Sequence, residues 1–339
     1  MQILSIGNAL LDLLVRTPDE SLIRQFGLEK GGMTLIQPAT VQKLQQAIRQ
    51  YDVVAASGGS AANTAYGLAR LGVGSGFIGS VGDDAMGRQF EADLRSYGVT
   101  PYLKKCTDET GHCLSVITPD AERTMGTYLG AAGLIDPADL RPELFEACDG
   151  IYFEGYLISV TQTVARMKDL ARRFGKGIIM DLASYTVVEH YFQAFRQIIE
   201  EGCCSLLLAN EDEARVYAHK AGLDVTDEAW MELLLEAWDR HVETAVIKLG
   251  PRGSLVRHRG TVRRVEVFPA RDRVDTTGAG DLYAAGFIYG MSEGCAPEMC
   301  GYIGSIVSAH MIEHIGAKMP EEVWEQIRRE IAAARADRQ

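Results

Sequence analysis

The second half of the chain alternates between short apolar stretches and longer amphipathic ones, and this alternation restricts the fold more than any other feature. The apolar stretches have the length of buried strands, and the amphipathic stretches have a helical period. Strands that alternate with helices favour a parallel sheet covered on both faces, so we predict an α/β fold. Strands are expected at residues 151–154, 177–182, 205–209 and 245–249, and helices at 161–174, 187–200, 297–313 and 320–334.

Composition and charge narrow the class of protein. The chain has 339 residues, 47% of them apolar, and a formal net charge of −12. Such an acidic chain is a poor partner for the phosphates of nucleic acids or anionic membranes. No apolar run is long enough to cross a bilayer, and the N-terminus resembles a strand rather than a signal peptide. Together with seven cysteines that include no Cys-x-x-Cys pair, these features predict a soluble cytoplasmic enzyme.

Residues 274–281, Val-Asp-Thr-Thr-Gly-Ala-Gly-Asp, form a glycine-rich turn that leads into an apolar stretch of helical length. The first amide groups of a helix have no intrahelical partner and carry the positive end of its dipole. Such a helix start binds anions such as phosphate. A carboxylate at Asp281 would be stabilised there and could act as a general base. The alternative is that Asp281 only caps a helix behind a glycine-rich turn.

Three further polar segments each follow a predicted strand. Asn8 and Asp12 follow the first strand, Ser-Gly-Gly at residues 57–59 follows another, and Asn210 begins an acidic segment after a third. Ligands bind at the carboxyl ends of the strands in open α/β sheets, so the segment that begins at Asn210 is a candidate binding site. Asn8 and Asp12 could also be ordinary turn residues, and Asn210 could simply cap a helix.

The motifs at residues 7–12 (Gly-Asn-x-x-x-Asp), at 58–63 (Gly-Gly-x-x-x-Asn) and at 275–281 resemble, in this order along the chain, the signatures of the ribokinase family of PfkB carbohydrate and nucleoside kinases. The resemblance extends from Asn8 to Ala317, and within the family it is greatest to the adenosine kinase-like branch. It implies a single ribokinase-like domain over residues 1–339, with three α/β/α layers and a small β-sheet lid. The lid is expected from segments near 10–16, 32–36 and 101–128.

The resemblance also implies roles for individual residues. Asp281 would be the general base, and Arg123, which could also be an ordinary surface arginine, would bring a positive charge from the lid to the transferred phosphate. The implied anion-binding amides are those of Gly278, Ala279 and Gly280. The implied substrate ligands are Asn8, Asp12, Gly58, Gly59, Asn63 and Tyr156.

ATP and Mg²⁺ are the cofactors that the resemblance implies, although the chain has no Walker A motif. Glu213 would hold Mg²⁺ through water, and a K⁺ ion would lie near Asp275 and Thr277. Lys248 stands where the family often has threonine, so its role is open. The implied nucleotide-binding residues are Asn210, Glu213, Lys248, Gly250, Gly253, Thr276 and Ser308.

The expected reaction is transfer of the γ-phosphate of Mg-ATP to a primary hydroxyl of a ribonucleoside, with adenosine as the leading substrate. Leu10, Leu129, Tyr156 and Leu157 could line an apolar slot for the base, or they could be core residues. A ribose, fructose or related sugar kinase is the alternative, and a non-catalytic nucleoside- or sugar-binding regulator is a further one. The chain is expected to be a monomer or a homodimer.

Overall fold

The structure is a computed structural model that describes residues 1–120 and 122–337. In these residues the strands form two sheets, one of nine strands and one of five. The strands are β1 Gln2–Ile6, β2 Leu10–Arg16, β3 Met33–Leu35, β4 Val53–Gly58, β5 Gly74–Gly82, β6 Thr100–Cys106, β7 Gly111–Ile117, β8 Arg123–Tyr128, β9 Gly150–Glu154, β10 Gly177–Asp181, β11 Cys204–Asn210, β12 Thr244–Lys248, β13 Ser254–His258 and β14 Thr261–Val265.

The α-helices lie between these strands and, after β14, form the C-terminal part of the described chain. No helix in residues 1–120 and 122–337 combines the length and apolar character needed to span a membrane. The helices are α1 Ser21–Phe26, α2 Pro38–Ile48, α3 Ser60–Arg70, α4 Ala85–Ser96, α5 Pro142–Ala147, α6 Thr161–Phe174, α7 Tyr185–Glu200, α8 Glu211–Lys220, α9 Trp230–Asp239, α10 Ala279–Ser292, α11 Pro297–Met311 and α12 Glu321–Asp337.

Helix α6 shows how the sequence produces these elements. Val164, Met167 and Leu170 are buried at the spacing of one helical face, and they pack into the core beside the main sheet. The helix ends at Gly175, which adopts the left-handed conformation with φ 63° that glycine tolerates best. The helix therefore has the bounds that the periodicity predicts.

The nine-stranded sheet, called the main sheet below, has the order β14-β13-β12-β11-β10-β9-β1-β5-β6. All neighbouring strands run parallel except the β12–β13 and β13–β14 pairs, which are antiparallel. Helices α5–α9 pack on one face, and α3, α4 and α10 pack on the other. The prediction of a mainly parallel sheet between two helical layers is confirmed.

The five-stranded sheet, called the small sheet below, has the order β3-β8-β7-β2-β4. It has its own apolar core with α1 and α2, which includes Leu22, Leu44 and Leu114. The small sheet joins the main sheet through short connections, such as the three residues between β1 and β2. Asp12 on β2 is therefore held close to the carboxyl end of β1.

One prediction about the small sheet is wrong. The stretch 101–106 was expected in it, but β6 pairs in parallel with β5 at the edge of the main sheet. A half-exposed edge strand has the same alternating pattern in either sheet, so periodicity could not assign it. The small sheet gains β4 instead, which pairs antiparallel with β2.

The strand order changes direction at β1. The chain first adds β5 and β6 on one side of β1, and later adds β9 and the following strands on the other. Where the strand order reverses in this way, the neighbouring connections leave on opposite faces of the sheet and a crevice forms beyond the carboxyl ends of the strands. Asn8 follows β1, and Glu154 ends β9, so both lie at this crevice.

Candidate active site

A cleft of about 1050 Å³ lies between the carboxyl edge of the main sheet and the small sheet. Its lining includes most of the residues that the sequence singles out, although they come from distant parts of the chain. Gly58 and Asp275 are the two predicted residues that do not line it. Those that do are Asn8, Asp12, Gly59, Asn63, Arg123, Tyr156, Asn210, Glu213, Lys248, Gly250, Gly253, Thr276, Thr277, Gly278, Ala279, Gly280, Asp281 and Ser308.

Asp281 lies in the first turn of α10, facing α3. One carboxylate oxygen accepts a hydrogen bond from the Ser60 hydroxyl at 2.7 Å, and the other accepts from Asn63 Nδ2 at 3.0 Å. Burial raises the pKa of Asp281, and the two donors counteract this effect. The side chain is thus held in one position by both oxygens while it faces the cleft.

The turn before α10 presents backbone amides beside Asp281. Gly278 precedes the helix with φ 77°, a conformation that favours glycine. The Ala279 amide donates to the Thr276 carbonyl at 3.2 Å, so this amide is already engaged. The amides of Gly278 and Gly280 have no hydrogen-bond partner among the described residues. Two of the three predicted amides therefore remain available to an anion.

Asp12 differs from Asp281 in its surroundings. Its carboxylate accepts no hydrogen bond from any residue in the described part of the chain, although Arg123 and Lys318 are close enough to interact with its charge. Burial raises its pKa to about 6, and the two cations counteract this effect. Asp12 is therefore a half-buried carboxylate with free acceptor positions that face the cleft.

Two glycines, Gly58 at the end of β4 and Gly59 directly after it, let the chain pass close to Asp12 and Asn8. A Cβ at Gly58 would lie 2.2 Å from Asp12 Cγ. A Cβ at Gly59, whose φ is 89°, would lie 2.2 Å from the Asn8 carbonyl oxygen. Gly58 thus supports Asp12 from behind rather than lining the cleft itself.

Glu154 links the residues after β1 to the second glycine-rich segment, which is residues 57–63 (the first is residues 274–281). One of its carboxylate oxygens accepts from the Asn8 backbone amide and from Asn8 Nδ2, both at 2.7 Å. The other oxygen accepts from the Ala61 amide at 2.8 Å. Burial raises the pKa of Glu154 to about 7, and the three donors oppose this rise. Glu154 thereby fixes the position of Asn8 in the cleft wall.

Lys248, at the end of β12, donates to Asp181 Oδ2 at 2.7 Å. Its ammonium also lies against the start of α10, because a Cβ at Gly280 would be 3.1 Å from Lys248 Nζ. Burial acts to lower the pKa of Lys248, but Asp181 and Glu213 outweigh it and the pKa is raised. The site thus contains a fixed positive charge beside the free Gly280 amide.

Asn210 and Glu213 form a reciprocal cap at the start of α8. Glu213 accepts from the Asn210 amide at 2.8 Å and from Asn210 Nδ2 at 2.7 Å, while Asn210 Oδ1 accepts from the Glu213 amide at 2.9 Å. Burial, with the nearby Asp181 charge, raises the pKa of Glu213 to about 8. The helix-cap interpretation of this segment is observed, and the same two residues also line the cleft.

Other predicted residues have structural partners. The Ser308 hydroxyl donates to the Ala279 carbonyl at 2.6 Å and so supports the turn before α10. Asp275 accepts from the Thr277 amide and hydroxyl at 2.9 and 2.7 Å, and from the Gly316 amide at 2.8 Å. Asp275 is buried behind the turn, where it holds the turn in shape.

The small sheet supplies the opposite wall of the cleft. The Arg123 guanidinium lines the cleft and makes no hydrogen bond or ion pair with another residue in the described chain. Leu10, Leu129 and Tyr156 form apolar parts of the wall, as the sequence suggests. Leu157 does not; it packs in the core beside the main sheet.

Sequence reasoning missed four residues of this site, namely Ser60, Glu154, Asp181 and Lys318. Ser60 belongs to the second glycine-rich segment, so its proximity to that motif is a usable signal. The other three act on partners far away in the chain. Lys318, for example, donates to Asn63 Oδ1 at 2.7 Å across 255 residues.

The arrangement combines three chemical capacities in one cleft. Asp281 can accept a proton, the Gly278 and Gly280 amides with Lys248 can stabilise an anion, and Asp12 can accept from ligand hydroxyls. Among the described residues, no group of three or more His, Cys, Asp or Glu side chains is arranged to hold a metal ion directly. A site of this kind suits transfer of an anionic group to a hydroxyl.

Comparisons with known proteins agree with this geometry. A model of the pfkB family of carbohydrate kinases matches residues 28–324. The adenosine kinase of Schizophyllum commune is 27% identical over 342 residues, covering 95% of this chain and 97% of that protein. The 5-dehydro-2-deoxygluconokinase of Geobacillus thermodenitrificans is 30% identical over 252 residues, covering 70% of this chain and 72% of that one.

Solved structures show the same fold. The crystal structure of adenosine kinase from Sinorhizobium meliloti superposes with a TM-score of 0.88 and 32% identity, covering 97% of this chain and 99% of that one. The family match covers most of the chain, and the structural match covers nearly all of it. As the sequence motifs implied, the chain belongs to the pfkB family of carbohydrate kinases.

Proposed function

We propose that the protein transfers the γ-phosphate of ATP to a primary hydroxyl of a ribonucleoside, and that adenosine is this nucleoside. The observation that carries the proposal is the position of Asp281. It shares one helix start with two unpartnered amides, and it faces the same cleft as the unpaired carboxylate of Asp12. Several relatives of similar length are adenosine kinases, which favours a nucleoside as the acceptor.

Asp12 would hold the substrate by accepting hydrogen bonds from two neighbouring ring hydroxyls. A half-buried carboxylate without protein donors gains most from such charge-assisted bonds. Asn8 and Asn63, in the adjoining wall, would bind further hydroxyls, and Gly59 would let the ring approach the backbone. The apolar side chains of Leu10, Leu129 and Tyr156 would contact the base.

Asp281 would take the proton of the primary hydroxyl as its oxygen attacks the γ-phosphorus. The Gly278 and Gly280 amides would stabilise the charge on the transferred group, and Lys248 would add a positive charge beside them. Arg123 would approach from the small sheet if that sheet closes over the cleft. Positioning and electrostatic stabilisation supply most of the acceleration in phosphoryl transfer.

The nucleotide would extend along the part of the cleft formed by Gly250, Gly253 and Thr276. The residues present suit a Mg²⁺ ion that arrives with ATP, because Glu213 lines the cleft but no described acidic cluster could bind the ion alone. Glu213 would hold it through water. When bound, Mg²⁺ would neutralise phosphate charge.

The K⁺ requirement stays a prediction. The oxygens of Asp275 are engaged with Thr277 and Gly316, and these contacts already fix the turn before α10. A K⁺ ion would add to this fixation. Activity in K⁺ compared with activity in Na⁺ at equal ionic strength tests this requirement.

Four other properties also stay predictions: closure of the small sheet, the single-domain organisation, the oligomeric state and the cytoplasmic location.

A sugar kinase is the second candidate. The 5-dehydro-2-deoxygluconokinase relatives reach 30% identity, and Asp12 could hold the hydroxyls of a sugar equally well. An adenosine kinase and a sugar kinase would use the apolar wall near Leu129 and Tyr156 differently. A nucleoside base needs that wall, whereas a free sugar does not.

The deciding experiment measures ADP release by the purified protein with ATP and a panel of acceptors. We expect adenosine to give the largest kcat/KM, with ribose, fructose and 5-dehydro-2-deoxygluconate much lower. A preference for one of the sugars would replace adenosine by the second candidate. Binding of nucleosides without ADP release from any acceptor would contradict the kinase assignment and favour a regulator.

A further inference from the structure

Residues 316–319 pass behind the turn before α10 and behind α3, and they are tied to both. The Gly316 amide donates to Asp275 Oδ2 at 2.8 Å, beneath the turn before α10. The Met319 amide donates to the Tyr66 hydroxyl on α3 at 2.9 Å, and that hydroxyl donates to the Met319 carbonyl at 3.0 Å. The segment between these anchors is therefore fixed in position.

Lys318 lies between the two anchors and points towards Asn63. Its Nζ donates to Asn63 Oδ1 at 2.7 Å, and it lies 4.6 and 5.7 Å from the ring centroids of Tyr66 and Tyr97. Lys318 is not among the residues that line the cleft. Besides its charge interactions with Asp12 and Asp281, its one hydrogen-bonded route to a bound substrate among the described residues therefore passes through Asn63.

Asn63 has two neighbours that specify the orientation of its amide. A lysine ammonium can only donate hydrogen bonds, so it requires the Asn63 oxygen. The Asp281 carboxylate can only accept them, so it requires the Asn63 nitrogen, which lies 3.0 Å away. Both neighbours select the same orientation. One N–H of Asn63 is used by Asp281, and the second remains for a ligand in the cleft.

We propose that Lys318 is a positioning residue that fixes the Asn63 amide, so that Asn63 donates to Asp281 and to one oxygen of the substrate but accepts no hydrogen bond from it. The kinetic consequence of this inference rests on the proposed function. Without Lys318 the amide could rotate, and Asp281 would lose one of the two donors that stabilise its charged form. The substrate group facing Asn63 is therefore an oxygen that serves as an acceptor.

The charged groups around Lys318 give the proposal a pH signature. Burial lowers the pKa of Lys318 to about 8, while the carboxylates of Asp12, Asp281 and Asp93 oppose this effect. Lys318 is thus charged below about pH 8 and neutral above it, and a neutral amine holds the Asn63 oxygen less strongly. We expect kcat to fall as pH rises through this value.

The kinetic test is a double-mutant cycle with Lys318→Met and Asn63→Ala, in which methionine keeps the packing on Tyr66. Lys318→Met should lower kcat about tenfold, since a hydrogen bond from a charged group is lost. The same substitution should also remove the fall in kcat above pH 8. Added to the Asn63→Ala protein, it should lower kcat little further.

Lys168→Met is the control variant. The Lys168 side chain is only 12% exposed, but it pairs with Glu201 on the far side of the main sheet.

Multiplicative effects of the two substitutions, or an alkaline fall that persists in Lys318→Met, would overturn the proposal. A second measurement does not depend on activity. The side-chain amide signals of Asn63 in a ¹H–¹⁵N spectrum, identified by their loss in Asn63→Ala, should shift in Lys318→Met. Unchanged signals would also refute the proposal. If the wild-type protein phosphorylates no acceptor, the proposed function fails, but this spectrum still tests the contact.

Discussion

Asp281 and Asp12 are two half-buried carboxylates in one cleft, and their surroundings differ. Asp281, at the start of α10, receives hydrogen bonds from Ser60 and Asn63 on both oxygens. Asp12, on β2 of the small sheet, receives none from the described residues and is balanced only by the charges of Arg123 and Lys318. Burial raises the pKa of both.

The difference suggests a division of work. A residue that takes a proton must be in place before the reaction, and fixed donors keep it there. A residue that binds substrate gains affinity when its acceptor positions are free until the substrate arrives. In this account Asp281 acts on the rate of transfer and Asp12 acts on the affinity for the acceptor.

The largest effect is expected from Asp281→Asn, which keeps the shape of the side chain but removes the base. We expect kcat to fall by about 10²- to 10⁴-fold, the usual contribution of a general base. ATP affinity, measured by isothermal titration calorimetry, should change little because, in the proposed reaction, Asp281 would contact the acceptor. A variant with near-normal turnover would remove Asp281 from the chemistry.

The next effect is expected from Asp12→Asn. An amide presents one acceptor where the carboxylate has two charged oxygens, so KM for the nucleoside should rise about ten- to a hundredfold. At saturating nucleoside kcat should stay within a few-fold of the wild-type value. Steady-state kinetics measure both constants. A large fall in kcat with an unchanged KM would mean that Asp12 acts in transfer.

Gly58→Ala tests the support of Asp12 without changing its chemistry. The added Cβ would lie 2.2 Å from Asp12 Cγ, so the carboxylate must move. We expect KM for the nucleoside to rise about tenfold and the free energy of unfolding to fall by about 1–3 kcal/mol. Urea denaturation measures the stability.

Gly133→Ala is the matched control, because its added Cβ would meet only ordinary contacts, the nearest being Leu129 Cβ at 3.7 Å. KM should be unchanged, and stability should change by no more than about 0.5 kcal/mol. If both substitutions raise KM equally, the close approach of Gly58 to Asp12 has no special role.

The smallest effect is expected from pH. Since burial raises the pKa of Asp12 to about 6, its charged form is lost as pH falls through that value. Protonated Asp12 cannot accept strongly from two hydroxyls, so kcat/KM for the nucleoside should fall to about half its plateau value at pH 6 and decline further below it. Asp12→Asn should lack this fall. A fall that remains in the variant belongs to another group, such as Glu154.

Much of the fold follows from local sequence signals. The period of α6 and the glycine after it predict the same residues that the structure shows, Thr161–Phe174. The sheet that contains β6 was not predictable, because periodicity reports which residues are exposed and not which strand lies alongside. Helices α1, α5 and α9 were also missed.

The site was predictable where function depends on one continuous motif. Residues 278–281 form one helix start, so their proximity follows from the chain itself. Sequence alone did not indicate that the Ala279 amide is already engaged, or that Lys318 reaches Asn63, since these contacts depend on geometry or on distant segments. Lys248 and Asp181, which are 67 residues apart, are a further example.

The most direct test of the division between the two carboxylates is a rapid-quench measurement of one turnover at saturating ATP and adenosine. It reports the transfer step separately from substrate affinity and product release. We expect the Asp12→Asn protein to transfer phosphate within a few-fold of the wild-type rate, and the Asp281→Asn protein to be slower by about 10²- to 10⁴-fold. The account would be contradicted if both variants lost the same factor in transfer rate, or if Asp12→Asn transferred phosphate more slowly than Asp281→Asn.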